Sequence, residues 1–354
     1  MKALRWHGRR DVRLEEVEDA PAPGANEVQI DVEWCGICGT DVEEYTSGPI
    51  VIPTTPHPLT GLKAPMIIGH EVAGRIRRAG SNSGHLRVGQ LVGIDGSFFC
   101  GTCSACQRHQ MNVCEKWAFI GMSYPGGLAE RMTVPSYMVA PVSDDIPAEW
   151  VALAEPFSVA TRAVRRGRVV SGEKVVILGC GTIGLAVLQV ARAAGARSVV
   201  VVDIVAFRRG KALSLGADEA IEPGDDLVQV LREKCGGGPD VIFDCTGSNR
   251  TPASAVLAVR LGGRVVQVGL PTSPGEFDFL QLALREVELI GTIGHIYDED
   301  YRLAVDLITS RQVSAAPLIT HRLTLENAVS DGLAYLAGPE SVNALKIVIR
   351  ANSA

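Results

Sequence analysis

No stretch of the 354 residues approaches the roughly 18 consecutive apolar residues of a membrane-spanning helix, so no transmembrane segment is expected. The opening Met1-Lys2-Ala3-Leu4-Arg5-Trp6-His7 lacks the apolar centre of an export signal, and a cytoplasmic location is expected. Positive charge is not in excess either. Lys and Arg number 34 against 40 Asp and Glu, a formal net charge of −6. That balance argues against a general nucleic-acid binder and against a polybasic membrane patch. Internal repeats, low-complexity tracts and heptads are missing. Hydrophobic residues at 46% and charged residues at 21% are ordinary for a globular chain, so disorder is not expected.

What is present points to about two domains, at roughly 150 residues each. Glycine is abundant: 38 residues, about 11% against a usual ~7%, implying many tight turns and close backbone approaches. There are nine cysteines, an odd count that makes poor evidence for a disulfide framework and suits metal ligands or buried thiols.

The chain changes character near residue 155. Before it, Val28, Ile30 and Val32 alternate with Gln29 and Asp31, a half-buried strand pattern, and Val72, Gly74 and Ile76 suggest another strand. Residues 46–65 hold five prolines and read as a long loop. After residue 155, apolar strands (Lys174 to Leu178, Ser198 to Val202, Val241 to Phe243, Val265 to Val268) alternate with helical patterns, which means βαβ units and a parallel sheet.

Gly179-Cys180-Gly181-Thr182-Ile183-Gly184 is a G-x-G-x-x-G turn between a predicted strand and a predicted helix, and Asp203 closes the next strand. In that context the pattern is a dinucleotide fingerprint. The glycines allow the turn, the approach of a pyrophosphate and close helix packing, and the helix start offers N–H groups to the anion. Asp203 is placed to bind the adenosine ribose, or else to cap the following helix. A 2′-phosphate beside it would meet repulsion on the order of 4 kcal/mol at about 4 Å and an effective dielectric near 20, which favours NAD over NADP. Arg208 and Arg209 follow closely enough to soften that exclusion.

Cys100, Cys103, Cys106 and Cys114 form C-x2-C-x2-C-x7-C. Four thiolates in this spacing suit a closed, structural zinc site, with iron–sulfur ligation the alternative. Cys35-Gly36-Ile37-Cys38-Gly39-Thr40-Asp41, Gly69-His70-Glu71 and Ala154-Glu155-Pro156 hold further potential ligands, none of which convinces by spacing alone.

Along essentially its whole length the chain resembles the zinc-dependent medium-chain alcohol dehydrogenases. It carries Gly36-Ile37-Cys38, Gly69-His70-Glu71, the cysteine quartet, Glu155 and the glycine fingerprint in that family's order. The likeness is nearest to the (R,R)-2,3-butanediol and sorbitol dehydrogenase branch, through Trp34 to Asp41, Gly48-Pro49-Ile50, Ile52-Pro53, His57 to Gly61 and Phe119-Ile120-Gly121. The resemblance implies an α/β protein. Residues 1–155 and 294–354 would form a GroES-like β catalytic domain, and 156–293 a Rossmann domain with a doubly wound parallel sheet. It implies one structural and one catalytic zinc per chain, the latter held by Cys38, His70 and Glu155, the last directly or through water, with Glu71 a carboxylate able to exchange with a water ligand and Cys35 a core thiol.

It further implies that Asp41 orients His70 and that Thr40 touches the substrate oxygen and starts a proton relay. Val268, Gly269 and Leu270 would border the nicotinamide. Lys346 would lie near Asp41 and the cofactor phosphates, or else be a solvated strand lysine. Two positions depart from the family. Glu43 stands where related relays end in histidine, so either Glu43 or the cofactor ribose finishes the relay. Gly294-His295 replaces the arginine–tyrosine pair of sorbitol dehydrogenases. Trp117, Phe119 and Tyr45 are pocket-wall or core candidates, and His295 a pocket or loop histidine. The implied function is NAD-dependent oxidation of a secondary alcohol or vicinal diol and the reverse carbonyl reduction, butanediol and acetoin first. A polyol or biosynthetic intermediate is the alternative substrate, and a non-catalytic zinc-stabilised binding protein the alternative class. A homodimer or homotetramer is expected, pairing through a strand at Glu276 to Leu280, with a small alcohol or ketone as partner and no nucleic acid or membrane.

Overall fold

In the computed structural model, which describes residues 1–352, the alternating segment becomes the long strand Glu27–Ile37. It is more deeply covered than alternation implies. Gln29 is only 3% exposed, and its side-chain amide donates to the Ala20 carbonyl at 2.7 Å. A buried amide is tolerated because its hydrogen bond is made.

The chain divides into two units. The first comprises Met1–Glu155, Ile296–Ser310 and Leu318–Ala354. Its principal sheet runs in the order Val139–Pro141, Leu91–Ile94, Glu71–Ala79, Glu27–Ile37, Lys346–Arg350, Ile319–Thr324, with Arg131–Pro135 paired to the first half of Glu27–Ile37. A smaller sheet joins Asp11–Glu16, Lys2–Gly8 and Met66–Ile67. Trp6, Ile30, Ile68, Ile94, Leu128 and Ile347 are among the buried side chains of one shared core. The register sets Gly36 opposite Val348 on one side and Glu71 on the other. Three distant parts of the sequence therefore meet at one point of the sheet. The proline-rich stretch is a long connection, broken only by the short strand Met66–Ile67 at its end.

The second unit is Pro156–His295 with Arg311–Pro317. Its six parallel strands follow the order Glu219–Ile221, Ser198–Val202, Lys174–Leu178, Val241–Asp244, Arg264–Gln267, Glu288–Gly291. This is the doubly wound arrangement in which strand order reverses beside the first strand, and the glycine turn opens at that switch point. Val175, Val176 and Ile177 are fully buried, as parallel strands covered on both faces require.

Two expectations are corrected. Residues 311–317 belong with the second unit rather than with the tail, because Gln189 binds Ser314 through both its amide groups, accepting from N at 2.7 Å and donating to O at 3.3 Å. Glu276 to Leu280 is not a strand. Asp278 accepts from the N–H groups of Leu280 and Gln281 at 2.9 and 3.2 Å, capping a helix at Phe279–Leu284, and the edge strand is Glu288–Gly291.

Candidate active site and metal centres

The cysteine quartet closes on itself. Sγ atoms lie 4.0 Å apart for Cys100 and Cys106, 3.5 Å for Cys103 and Cys106, and 3.9 Å for Cys103 and Cys114. Zinc–sulfur bonds of ~2.3 Å in a tetrahedron set sulfurs ~3.8 Å apart, whereas a disulfide needs ~2.05 Å. The sulfurs therefore converge on a centre the size of one ion. Backbone N–H groups point at them: Thr102 and Cys103 donate to Cys100 Sγ, and Cys100 and Lys116 donate to Cys114 Sγ. Donation by the Thr102 N–H and hydroxyl, then by the Cys103 N–H, lowers the Cys100 thiol to about 6. Burial pushes Cys106 up to about 12. Such donors stabilise thiolates, the form that binds zinc.

The second cluster forms at the sheet crossing. Cys38 caps the helix Gly39–Ser47, His70 follows the positive-φ turn at Gly69 (φ 93°), and Glu71 opens its strand. One ligand atom from each of Cys38, His70 and Glu71 lies within 4.8 Å of the others. Two glycines make room. A Cβ on Gly36 would sit 1.9 Å from Glu71 Oε2, and one on Gly69 would sit 2.8 Å from Cys35 Sγ. Cys35 is fully buried, and burial holds its thiol well above the ordinary range, as befits a core thiol.

Asp41 Oδ1 faces His70 Nδ1 at 3.7 Å, and its Oδ2 accepts from the Cys38 N–H at 2.9 Å. Burial raises the Asp41 carboxyl pKa. Burial disfavours imidazolium at His70, yet the charges of Asp41, Cys38 and Glu155 outweigh it and raise the ring to about 10. Asp41 Oδ1, His70 Nδ1 and Glu71 Oε2 are buried atoms without a hydrogen-bond partner. Buried polar groups are normally satisfied. An orphaned Glu71 oxygen in a pocket that also holds the Asp41 carboxyl is the chemistry of a cation site, and a thiolate, an imidazole and a carboxylate suit zinc.

Glu155 is 7% exposed and its charge acts on His70, while the three ligand atoms that lie within 4.8 Å of one another are those of Cys38, His70 and Glu71. Thr40 Oγ1 lies 3.8 Å from Cys38 Sγ. Glu43 is exposed, three residues along the same helix and so on the Thr40 face, its carboxyl pKa raised by partial burial and by Glu44. The Phe119 ring lies 5.4 Å from the His70 ring, and Trp117 stacks on Phe119 at 5.1 Å. Tyr45 is core. Lys346 is neither solvated nor turned outward. It is 4% exposed, and Nζ donates to the Ile37 carbonyl at 2.9 Å and to Glu71 Oε1.

In the second unit Gly179 has φ 88°, Gly181 caps the helix Thr182–Ala193 that Thr182 and Ile183 open, and a Cβ on Gly184 would sit 1.9 Å from the Gly179 carbonyl. Asp203 is 7% exposed and accepts from Cys180 N at 2.6 Å and Val205 N at 2.7 Å, so it ties the glycine turn to the strand end. Arg208 is half-buried with Nε unbonded, while Arg209 donates to the Asp203 carbonyl and to Glu222. Val268 and Gly269 donate to the Asp244 carbonyl at 2.9 and 2.8 Å, and Leu270 is 59% exposed. His295 is buried, 2% exposed.

The alcohol dehydrogenase GroES-like domain family matches residues 24–144, and the zinc-binding dehydrogenase family matches residues 182–310. The (R,R)-butanediol dehydrogenase of Bacillus subtilis (strain 168) is 34% identical over 358 residues, covering 99% of this chain and 100% of that protein. The chain belongs to the zinc-dependent medium-chain alcohol dehydrogenases. Human sorbitol dehydrogenase is also 34% identical, over 91% of this chain and 89% of its own. The crystal structure of the Bacillus subtilis 2R,3R-butanediol dehydrogenase superposes with a TM-score of 0.92 at 33% identity, over 99% of each chain. This dehydrogenase is therefore an oxidoreductase of the butanediol and sorbitol branch, with CH–OH groups as donors.

One dehydrogenase residue had no sequence signal. Glu44 is 1% exposed, and its carboxylate accepts from the successive N–H groups of Ile50, Val51 and Ile52. It fixes the start of the long loop. At the other end Thr60 donates to the Ser123 carbonyl at 2.7 Å, and the Ser123 hydroxyl accepts from the N–H of Phe119, the ring against His70.

Proposed function

We propose that this dehydrogenase oxidises a vicinal diol or secondary alcohol with NAD and reduces the corresponding ketone, with 2,3-butanediol and acetoin as the first pair to test. The observation that carries the reading is the convergence of Cys38, His70 and Glu71, with Thr40 beside them. The name of the full-length Bacillus subtilis relative supports the substrate class. A zinc ion held by Cys38, His70 and a carboxylate supplies Lewis acidity that favours loss of a hydroxyl proton. The nicotinamide dinucleotide supplies the hydride acceptor.

The chain's own groups do the rest. Thr40 Oγ1 accepts the substrate's hydroxyl proton and passes its own outward. Glu43, on the same helix face and exposed, is the proposed end of that path, its raised pKa suited to a group that takes up and releases protons. Asp41 keeps Nδ1 of His70 oriented and leaves the other ring nitrogen for the metal. Phe119 lies against the His70 ring, backed by Trp117, and limits water there. The Gly179–Gly184 turn and the free N–H groups of the following helix hold the pyrophosphate, and Asp203 receives the ribose hydroxyls.

Two further readings accompany the first. The chain acts as a homo-oligomer through the edge strand Glu288–Gly291 and its neighbours: Phe279 is 72% exposed, Leu280 63% and Leu284 68%. It works in a reducing, cytoplasmic compartment, which the free thiols of all nine cysteines support. A sorbitol-type polyol is the second substrate reading, supported by the human relative and opposed by Gly294-His295.

The test is NAD(H) absorbance at about 340 nm with stereoisomeric diols, polyols and secondary alcohols, using wild type and Cys38→Ala. Turnover by wild type, lost in Cys38→Ala, with a butanediol stereoisomer preferred, is the expected result. Silence across the panel from protein carrying about two zinc ions per chain would sink the butanediol and sorbitol readings.

A further inference from the structure

Lys346 is a lysine in the interior of the first unit. Its side chain is 4% exposed and that of its partner Glu71 is 1% exposed, with 2.5 Å between Nζ and Oε1. A buried ion pair is weak evidence for stability, since desolvation cancels much of the attraction, so a functional reason is sought. The pair joins residues 275 positions apart, because Lys346 opens the strand that lies against Glu27–Ile37. A second Nζ hydrogen goes to the Ile37 carbonyl, one residue before Cys38, at 2.9 Å. The ammonium is thus fixed from two sides.

Glu71 is constrained in turn. Oε1 is taken by Lys346. Oε2 has no partner and occupies the space that a Cβ on Gly36 would fill. A carboxylate with both oxygens free can chelate a metal through both and fill its coordination positions. One with an oxygen turned to an ammonium offers the other more readily, because the ammonium holds that oxygen's orientation and part of its charge. Catalytic zinc differs from structural zinc in keeping a position open.

We propose that Lys346 is a positioning residue for the catalytic metal: by holding Oε1 of Glu71 it restricts that carboxylate to one oxygen and keeps a place at the Cys38–His70–Glu71 group for the substrate. The inference rests on the catalytic reading above and adds to it the residue that sets how much of Glu71 the metal receives.

The test compares wild-type, Lys346→Met, Lys346→Arg, Glu71→Gln and Glu71→Gln/Lys346→Met holoenzymes by release of the catalytic zinc to a chelator and by visible absorption after cobalt(II) substitution. Lys346→Met frees Oε1 to bind as well, so zinc release slows by about tenfold, opposite in sign to the roughly 10–100-fold loss of affinity that removing a ligand's partner ordinarily causes. The cobalt absorption weakens as a ligand is added. Lys346→Arg acts in the opposite direction: its fork takes both Glu71 oxygens, and release quickens. In the Glu71→Gln background, Lys346→Met has no further effect on release, whereas a simple loss of positive charge would still slow it.

Quicker release from folded Lys346→Met, an unchanged cobalt spectrum, or a Lys346→Met effect that survives Glu71→Gln would overturn the proposal. If Lys346→Met does not fold, judged by melting temperature and structural zinc, Lys346→Arg decides, and wild-type release from it refutes the idea. Wild type holding about one zinc per chain would instead overturn the catalytic reading itself.

Discussion

Glu44 buries its carboxyl group beside no cationic partner among the described residues. Three consecutive N–H groups stand in for one, and the Glu44 carbonyl meanwhile accepts from Trp6 Nε1 and from Gly48 N, both at 3.0 Å. Removing the carboxylate leaves three N–H groups short of a partner. Glu44→Ala is therefore expected to lose about 2–4 kcal/mol in denaturant unfolding, and Glu44→Gln, which keeps one accepting oxygen, distinctly less. Equal losses in the two variants would mean that packing rather than hydrogen bonding is at stake. Nothing in Glu43-Glu44-Tyr45 distinguishes the buried acid from its exposed neighbour, since both lie on one short helix and only the folding back of Ile50 to Ile52 separates them. Cys100 to Cys114 was legible for the opposite reason: its four ligands fall within fifteen residues, so spacing alone defines the site.

The elements of the second unit were readable because each βαβ step is local and its strands are continuous apolar runs. The exception, Glu276 to Leu280, has strand-like alternation in Phe277 and Phe279, but Asp278 sits between them and its cap wins. At the junction of two central strands, Asp240 accepts from the N–H of Lys174 at 2.8 Å and from Arg260 Nε at 2.7 Å. Burial would raise its carboxyl pKa, but the Lys174 N–H and the Arg260 guanidinium prevail and hold it below the ordinary range. A folded-state pKa below the unfolded value of ~3.9 gives stability that is present above about pH 4 and lost as pH falls through the folded value. Asp240→Asn should thus be less stable than wild type near neutrality, with the gap closing in acid. Unfolding midpoints measured from pH 7 downward test this, and a gap that widens in acid contradicts it.

For the whole molecule, the exposed apolar side chains on Phe279–Leu284 beside an edge strand leave a surface that a lone chain would expose to water. Leu284→Glu, at a position 68% exposed, should leave the melting temperature nearly unchanged while light scattering shows the assembly shifting toward monomer. An unshifted mass would place the contact elsewhere. The catalytic cluster could be read only in part from sequence, because family order pointed to Cys38, His70 and Glu155 with Glu71 nearby, yet the pairing of Glu71 with Lys346 depends on a contact across 275 positions.

That contact also orders events on the ribosome. The strand Lys346–Arg350 lies against Glu27–Ile37, so the sheet holding Cys38 and Glu71 stays incomplete until the stretch 156–295 has been synthesised. The later-encoded unit, built from local contacts, can fold while the earlier one waits, its ligands already outside the tunnel and its lysine not yet made. A nascent chain of this protein thus holds a half-built metal pocket until the strand Lys346–Arg350 emerges and finishes it.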